Sequence, residues 1–217
     1  MRILGVDPGL TRCGLGVIEF HGARRVSLVR VDVARSKPEL APEKRLLIIY
    51  NKLVETIRLE RPDVIAFERV FAQDNVRSVM STAQVAGIVL LVAAQHGIPI
   101  FSHSPSEVKA AVTGNGRAEK IQVQTMVQRI LGLKELPRPK DAADALAIAI
   151  THAWRGAALT SETTDPSRAQ HGGAGMLPRT QGPDLTPAQK LWAQAERDSR
   201  RHGAVAPQEV DTKKQMR

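Results

Sequence analysis

The chain has 217 residues, with 31 Lys and Arg against 22 Asp and Glu, a formal charge of +9 and a pI near 10.2. That length admits one ordinary domain with an appendage, or two small ones. The charge favours a polyanionic partner, because neutralising phosphates releases their counterions. A single cysteine, Cys13, excludes disulfide scaffolds and multi-cysteine zinc sites. The longest largely apolar stretch, Val85 to Ala94, is short of the ~20 residues a membrane-spanning helix needs. Asp7 and Pro8 interrupt the N-terminal apolar run before it could form a secretory signal core. The expectation is a cytoplasmic protein with nucleic acid as its partner and no membrane segment.

In chain order, Ile3 to Val6, Gly14 to Phe20 and Val26 to Val33 read as three strands joined by turns at Pro8-Gly9 and His21-Gly22, a meander. Leu46, Tyr50, Leu53 and Ile57 recur at helical spacing within Pro42 to Leu59, and Arg61-Pro62 ends that helix. The run from Val64 to Phe67 is apolar without alternation, as suits an interior strand covered on both faces. A long helix follows, Val76 to Gln95, closed by Gly97. Ile98 to Phe101 makes a fifth strand whose Pro99 places it at an edge. Ser106 to Val112, Glu119 to Leu131 and Lys140 to Arg155 read as helices. The order predicts an α/β fold, a five-stranded mixed sheet with helices on both faces.

Composition changes near residue 156. Residues 157–217 hold six Leu and Val, no Ile and no Phe, with five Gly and five Pro. Too little apolar surface is available there to offset ordering entropy, so a disordered tail is expected, with a short helix at about 187–201 introduced by Thr186-Pro187. The tail has nine Lys and Arg against seven acids, so most of the positive charge belongs to residues 1–156. The polyanion site is therefore expected in the folded part.

Four acids in that part attract attention. Asp7 ends the first strand, where Asp before Pro also serves simply to open a turn. Glu68 stands at the C-terminal end of the interior strand, the end at which ligands and catalytic groups collect in open α/β sheets. Asp141 and Asp144 lie three apart, on one face of the last helix. Acids suit a helix's first turn, which accounts for Asp141. Asp144 is less easily explained, since like charges at this spacing repel unless a cation sits between them. With strands one and four adjacent and the last helix crossing them, all four would converge. Clustered hard oxygen donors without His or Cys suit Mg²⁺ or Mn²⁺, and two such ions about 3.5 to 4 Å apart are a recurring arrangement for phosphodiester cleavage.

The segments ILGVDPGLTRCGLGVIE at the start, FERVF at 67–71, VTGNGRAEKIQVQ at 112–124 and DAADALAIAITH at 141–152 resemble the RuvC-type Holliday junction resolvases of bacteria. The resemblance runs in order across about residues 1–155. It implies a ribonuclease H-like fold and a homodimer acting as a Mg²⁺-dependent endonuclease, which cuts two strands of a four-way DNA junction symmetrically in recombination and repair, in complex with a branch-migration helicase. By position, Asp7, Glu68, Asp141 and Asp144 fall on the family's four catalytic, metal-binding carboxylates. Phe71 lies in a polar loop, where a ring could stack on an unpaired base; the resemblance implies that it wedges near the crossover. Lys109 and Lys120 flank the Gly114-Asn115-Gly116 turn and match lysines that contribute to DNA binding or catalysis. Lys120 opens a helix, where the dipole disfavours a cation, and a phosphate partner would explain it. Arg69, Arg77 and Arg117 are assigned only to a basic surface. His103 and His152 read as a loop and a surface or packing residue, and Cys13 as packing. For dimerisation the long helix is the candidate, its Ala83, Gly87 and Ala94 permitting close approach.

Three other functions compete. A nuclease processing RNA ends shares the opening strand, Asp and Gly turn. A sugar-kinase or actin-like ATPase also uses that turn, but needs a second phosphate loop and a larger half than this length provides. A non-catalytic junction binder would have little use for four acids facing phosphate without metal.

Overall fold

The computed structural model describes residues 1–69 and 76–160, with side chains described for 1–69 and 79–156. Residues 161–217 of the predicted tail, with the helix expected at 187–201, and Phe71 lie outside the described residues. Strand β1 (Arg2–Asp7) pairs antiparallel with β2 (Arg12–Phe20), and β2 with β3 (Val26–Arg35), giving the expected meander. β4 (Val64–Glu68) lies parallel to β1 on its other side, and β5 (Ile100–His103) lies parallel to β4 at the edge. The sheet order is β3-β2-β1-β4-β5. Pro99 falls just before β5 rather than inside it, and its carbonyl accepts a hydrogen bond from the Ile65 amide at 2.9 Å. A proline has an acceptor but no donor, so it can serve the ladder from one side only.

The helices are α1 (Pro42–Glu60), α2 (Val76–His96), α3 (Pro105–Thr113), α4 (Lys120–Ile130) and α5 (Lys140–Thr160). Pro42 sits in the first turn of α1, and Arg61 closes it in the left-handed conformation at φ 46°. Ser104 and Glu107 form a reciprocal cap on α3, and Gly114 ends that helix at φ 79°. α5 continues past residue 156 to Thr160.

Alternation along β1 and β4 divides the core in two. Leu4, Val6, Ile65 and Phe67 face α1 and α2, packing with Ile49, Leu53, Val85 and Val89. Ile3, Val64 and Ala66 face α3, α4 and α5, packing with Val108, Val123, Leu146 and Ile150. Helices thus cover both faces, as expected. α5 is apolar all round from Ala145 to Ile150 and fully buried there, between the sheet on one side and α3 and α4 on the other.

Its distance from the sheet is set by glycine. Gly5 and Gly16 are cross-strand partners, and Gly14 pairs with Asp7. A Cβ on Gly5 would meet the Ala145 carbonyl and lie 2.8 Å from the Ala149 amide nitrogen; one on Gly14 would meet the Asp141 carbonyl; one on Gly16 would lie 2.8 Å from the Leu146 amide nitrogen. Here the helix backbone rests directly on the strands.

α2 is amphipathic in an unusual way. Val85, Val89, Val92 and Ala93 are buried, yet Met80, Leu90 and Leu91 are 58%, 48% and 50% exposed. By length and composition alone, Val79–His96 would pass for a membrane span. Its buried side packs on the sheet and on α1, however, as a globular core helix does.

Candidate active site

The alternation that sends Ile3 and Gly5 toward α5 sends Asp7 the same way, and Val64 and Ala66 put Glu68 on that face too. β1 and β4 run in register through Val6 and Phe67, so Asp7 and Glu68 end adjacent parallel strands. α5 crosses β1 and β2 on this face, and the contact of its Asp141 carbonyl with Gly14, the strand partner of Asp7, brings its first turns to the same strand ends. Asp141 and Asp144 therefore stand above Asp7 and Glu68.

Electrostatics register the convergence. Burial, followed by the negative charges of Asp144, Glu68 and Asp141, pushes the Asp7 carboxyl from its ordinary value of 3.8 up to about 7, against the opposing pull of Lys120. Burial and Asp144 raise Glu68, with Lys120 and Lys109 pulling it back. Asp144 is raised by burial and by Asp141, again opposed by Lys120 and Lys109. The site holds more negative charge than its lysines neutralise.

Two cations partly compensate. The Arg12 Nε lies 2.9 Å from Oδ2 of Asp141, and the Lys120 Nζ lies 3.8 Å from Oδ2 of Asp144. Lys120 is thus in the first turn of α4, as expected, with a carboxylate in front of it. Lys109, on α3, is half-buried. Among the described residues no three acids, histidines or cysteines are drawn in tightly enough to form a ready cage, and Arg12 and Lys120 each hold an acid that a cage would need. The donor set nevertheless fits a hard divalent cation: four oxygen donors, three of them with carboxyls raised by burial and mutual repulsion, which bound positive charge would relieve.

The sequence profile of the crossover junction endodeoxyribonuclease RuvC family matches residues 3–152. The chain belongs to the RuvC family. Crossover junction endodeoxyribonuclease RuvC of Bifidobacterium adolescentis is 55% identical over 94% of this chain and 98% of its own length. That of Leifsonia xyli subsp. xyli is 50% identical over 93% of this chain and 94% of its own. The structure of Thermus thermophilus RuvC in complex with a Holliday junction substrate superposes with a TM-score of 0.70 at 38% identity, covering 74% of this chain and 97% of that one. The fold is ribonuclease H-like, and the RNA-end and ATPase readings fall away.

Arg12 was not singled out from sequence. Strand alternation could have found it, since it lies two residues before Gly14 on the same face and so points at whatever stands over Asp7. Of the two histidines, His152 takes the packing role, while His103 ends a strand rather than lying in a loop. His103 ends β5 as the strand partner of Glu68, and His152 lies on α5; they are 7% and 4% exposed, with Nε2 of His103 3.2 Å from Nδ1 of His152. Burial, then His103, lowers His152 to about 4, and burial also lowers His103, so near neutral pH both rings are uncharged and one donates to the other. The pair packs β5 against α5 beside Glu68. The pairing was not foreseen, because an apolar helix face accepts a neutral imidazole only when a second ring satisfies it. Cys13 is fully buried and its thiol is pushed up to about 12, chiefly by burial, which removes it as a nucleophile.

Proposed function

We propose that Asp7, Glu68, Asp141 and Asp144 are the catalytic carboxylates with which this crossover junction endodeoxyribonuclease binds two Mg²⁺ ions, Mn²⁺ being able to substitute. A homodimer of the chain then makes paired, symmetric nicks in a four-way DNA junction. The observation that carries this is the Asp7 carboxyl, at the end of a central strand, pushed up to about 7 by burial and three other carboxylates. A protein retains such repulsion where a cation is to be bound. The chemistry such ions supply is activation of the attacking water and stabilisation of the leaving 3′ oxygen.

The residues divide the remaining work. Asp7 and Glu68, on strand ends fixed by the parallel ladder, provide a rigid floor. Asp141 and Asp144 provide the wall, positioned by the glycine contact beneath α5. Lys120, which is 76% exposed, releases Asp144 and takes a phosphate oxygen of the strand to be cut. Lys109 offsets part of the negative charge around Glu68 that a polyanion would otherwise meet. Phe71, three residues after Glu68, stacks on an unpaired base at the crossover.

The dimer forms through α2. Met80, Ala83, Gly87, Leu90 and Ala94 make an exposed stripe at helical spacing, and nothing lies within 4 Å of a Cβ placed on Gly87, so a second backbone can approach there. Two copies give two sites for paired cuts. The substrate places the enzyme in the cytoplasm with the chromosome, and a branch-migration helicase completes the assembly.

The test is to incubate the protein with a synthetic four-way junction, a matching duplex and a single strand, in Mg²⁺, Mn²⁺ or EDTA, alongside Asp7→Asn. Paired nicks confined to the junction, dependent on metal and absent in the variant, are expected. Tight junction binding without cleavage under any metal would refute the catalytic assignment.

A further inference from the structure

Beside the carboxylates the surface carries a groove that the cleavage chemistry does not use. It has a volume of about 710 Å³, within the ~300–1,000 Å³ typical of ligand sites, and its walls include Arg35, Ile121, Gln124, Leu136, Arg138 and Lys140. Lys140 directly precedes Asp141. Arg35 is the cross-strand partner of Arg12, whose guanidinium lies on Asp141, and opposed residues on antiparallel strands share a face. The groove therefore begins where the cleavage site ends. Arg35 and Arg138 also line a smaller adjoining hollow with Asp32. That acid is already engaged by Lys52 at 2.8 Å and Arg30 at 3.6 Å. Among the described residues no acid pairs with Arg35, Arg138 or Lys140, so three cations stand unneutralised around one depression.

Two further features indicate more than a charged rim. Ile121, on α4, is 52% exposed although it is a large aliphatic side chain on a well-packed helix. Gln124, one turn further along, is 4% exposed, and its amide Nε2 is buried with no hydrogen-bond partner. A buried donor left without an acceptor is uncommon and destabilising unless a partner arrives. An apolar wall, an unused amide donor and three free cations together match the parts of a nucleotide: base or sugar face, base or sugar acceptor, and phosphates.

We infer that this groove is a second DNA subsite, which receives a nucleotide of the strand flanking the scissile phosphate. Its phosphates rest on Arg35, Arg138 and Lys140, its sugar and base lie against Ile121 and Leu136, and the Gln124 amide donates to it. The inference rests on the reading that the chain acts on junction DNA. It adds where the strand goes on leaving the carboxylates, and it makes the β3 end and the 136–140 segment part of the substrate-binding surface.

The experiment measures junction affinity in EDTA, so that cleavage does not interfere, across a range of salt. Each lost phosphate contact reduces the slope of log K against log salt by about 0.9. Arg35→Gln with Arg138→Gln should lower it by about two, whereas Lys44→Gln with Arg58→Gln, the same charge change on exposed positions of α1, should leave it unaltered. Gln124→Met distinguishes binding from packing. It should raise the melting temperature of the free protein, by removing an unpaired buried donor, while weakening junction binding about five- to tenfold, the worth of one hydrogen bond. Because Cys13 is fully buried, Arg138→Cys offers a unique exposed thiol for a photo-crosslinker, and crosslinks should fall on nucleotides next to the cut. A wild-type chain with no preference for the junction would overturn the reading on which this one rests. A wild type that binds the junction, with an unchanged slope in Arg35→Gln/Arg138→Gln and crosslinks scattered or absent, would overturn the subsite alone. A lower melting temperature with unchanged affinity in Gln124→Met would remove Gln124 from it.

Discussion

Replacing Asp7 by Asn should make the metal-free protein more stable and the enzyme inactive. The Asp7 carboxyl moves from 3.8 to about 7, chiefly through burial and then through the charges of Asp144, Glu68 and Asp141. Three units at 1.36 kcal/mol each set an upper bound of about 4 kcal/mol between its protonated and ionised forms. The folded value lies above the unfolded one, so the native state holds the proton more tightly. The resulting stabilisation is complete below about pH 4 and is lost as pH rises through 7. Asn carries no charge, but its amide must still be buried in the same place, so roughly half of the bound, about 2 kcal/mol, should be recovered at pH 8. For a domain of this size that is a rise of about 4 to 8 °C in melting temperature. The assay is thermal unfolding in EDTA from pH 4 to 8.5. The difference between Asp7→Asn and wild type should be smallest at the acidic end, grow through pH 5 to 7 and level off above 8. Added Mg²⁺ should then narrow the gap by stabilising the wild type, which binds it, more than the variant. A difference that is constant across pH, or a variant that melts lower at pH 8, would show that Asp7 does not share its surroundings with the other three acids.

Gly5→Ala should cost about 3 kcal/mol or prevent folding, because its Cβ would meet the Ala145 carbonyl of α5, and backbone cannot move aside as a side chain can; chemical denaturation measures the loss. Leu90→Glu, on the exposed face of α2, should leave the monomer's melting temperature nearly unchanged while shifting sedimentation toward the monomer and abolishing paired, though not single, nicking. Arg12→Gln should lower metal-free stability at pH 8 by under about 1 kcal/mol, since Arg12 is 58% exposed, while tightening Mn²⁺ binding measured by calorimetry as Asp141 loses a competing cation.

The strands and helices were legible because their signals are local. Alternation in β1, the apolar run of β4, the Pro42 start of α1 and the glycine at the end of α3 each act within a few residues. The four acids were legible for a related reason: Asp7 and Glu68 end strands, and Asp141 and Asp144 lie three apart near the start of α5, so each position could be read from its own segment. What sequence could not supply was the partner of each group. That Arg12 lies on Asp141, or that His103 and His152 neutralise each other's polarity inside the fold, depends on which face of α5 rests on which strand. That contact is fixed by helix backbone meeting Gly5, Gly14 and Gly16, residues whose contribution is the absence of a side chain. A pattern of apolar positions does not reveal an approach that close. Pro99 was misplaced by one or two residues because a proline that accepts from the ladder without donating looks, in sequence, like one lying within it.

The same glycines connect packing to chemistry. Had β1 and β2 carried ordinary side chains at these positions, α5 would stand a side chain's thickness farther from the sheet, and Asp141 and Asp144 with it. Asp7 would then have less burial and keep Glu68, on the adjacent strand end, as its negative neighbour, and its carboxyl would be raised less. Close backbone contact both buries Asp7 and brings the opposing acids over it, so the pressure that raises its carboxyl to about 7 follows from how the core is packed. The core stabilises this arrangement without metal because Ala145 and Ala149 are fully buried against the glycine seat, where the Leu146 side chain lies on Gly16, and Ile150 is buried in the same apolar cluster. A mutation in the glycine seat should therefore lose metal affinity before it alters any carboxylate.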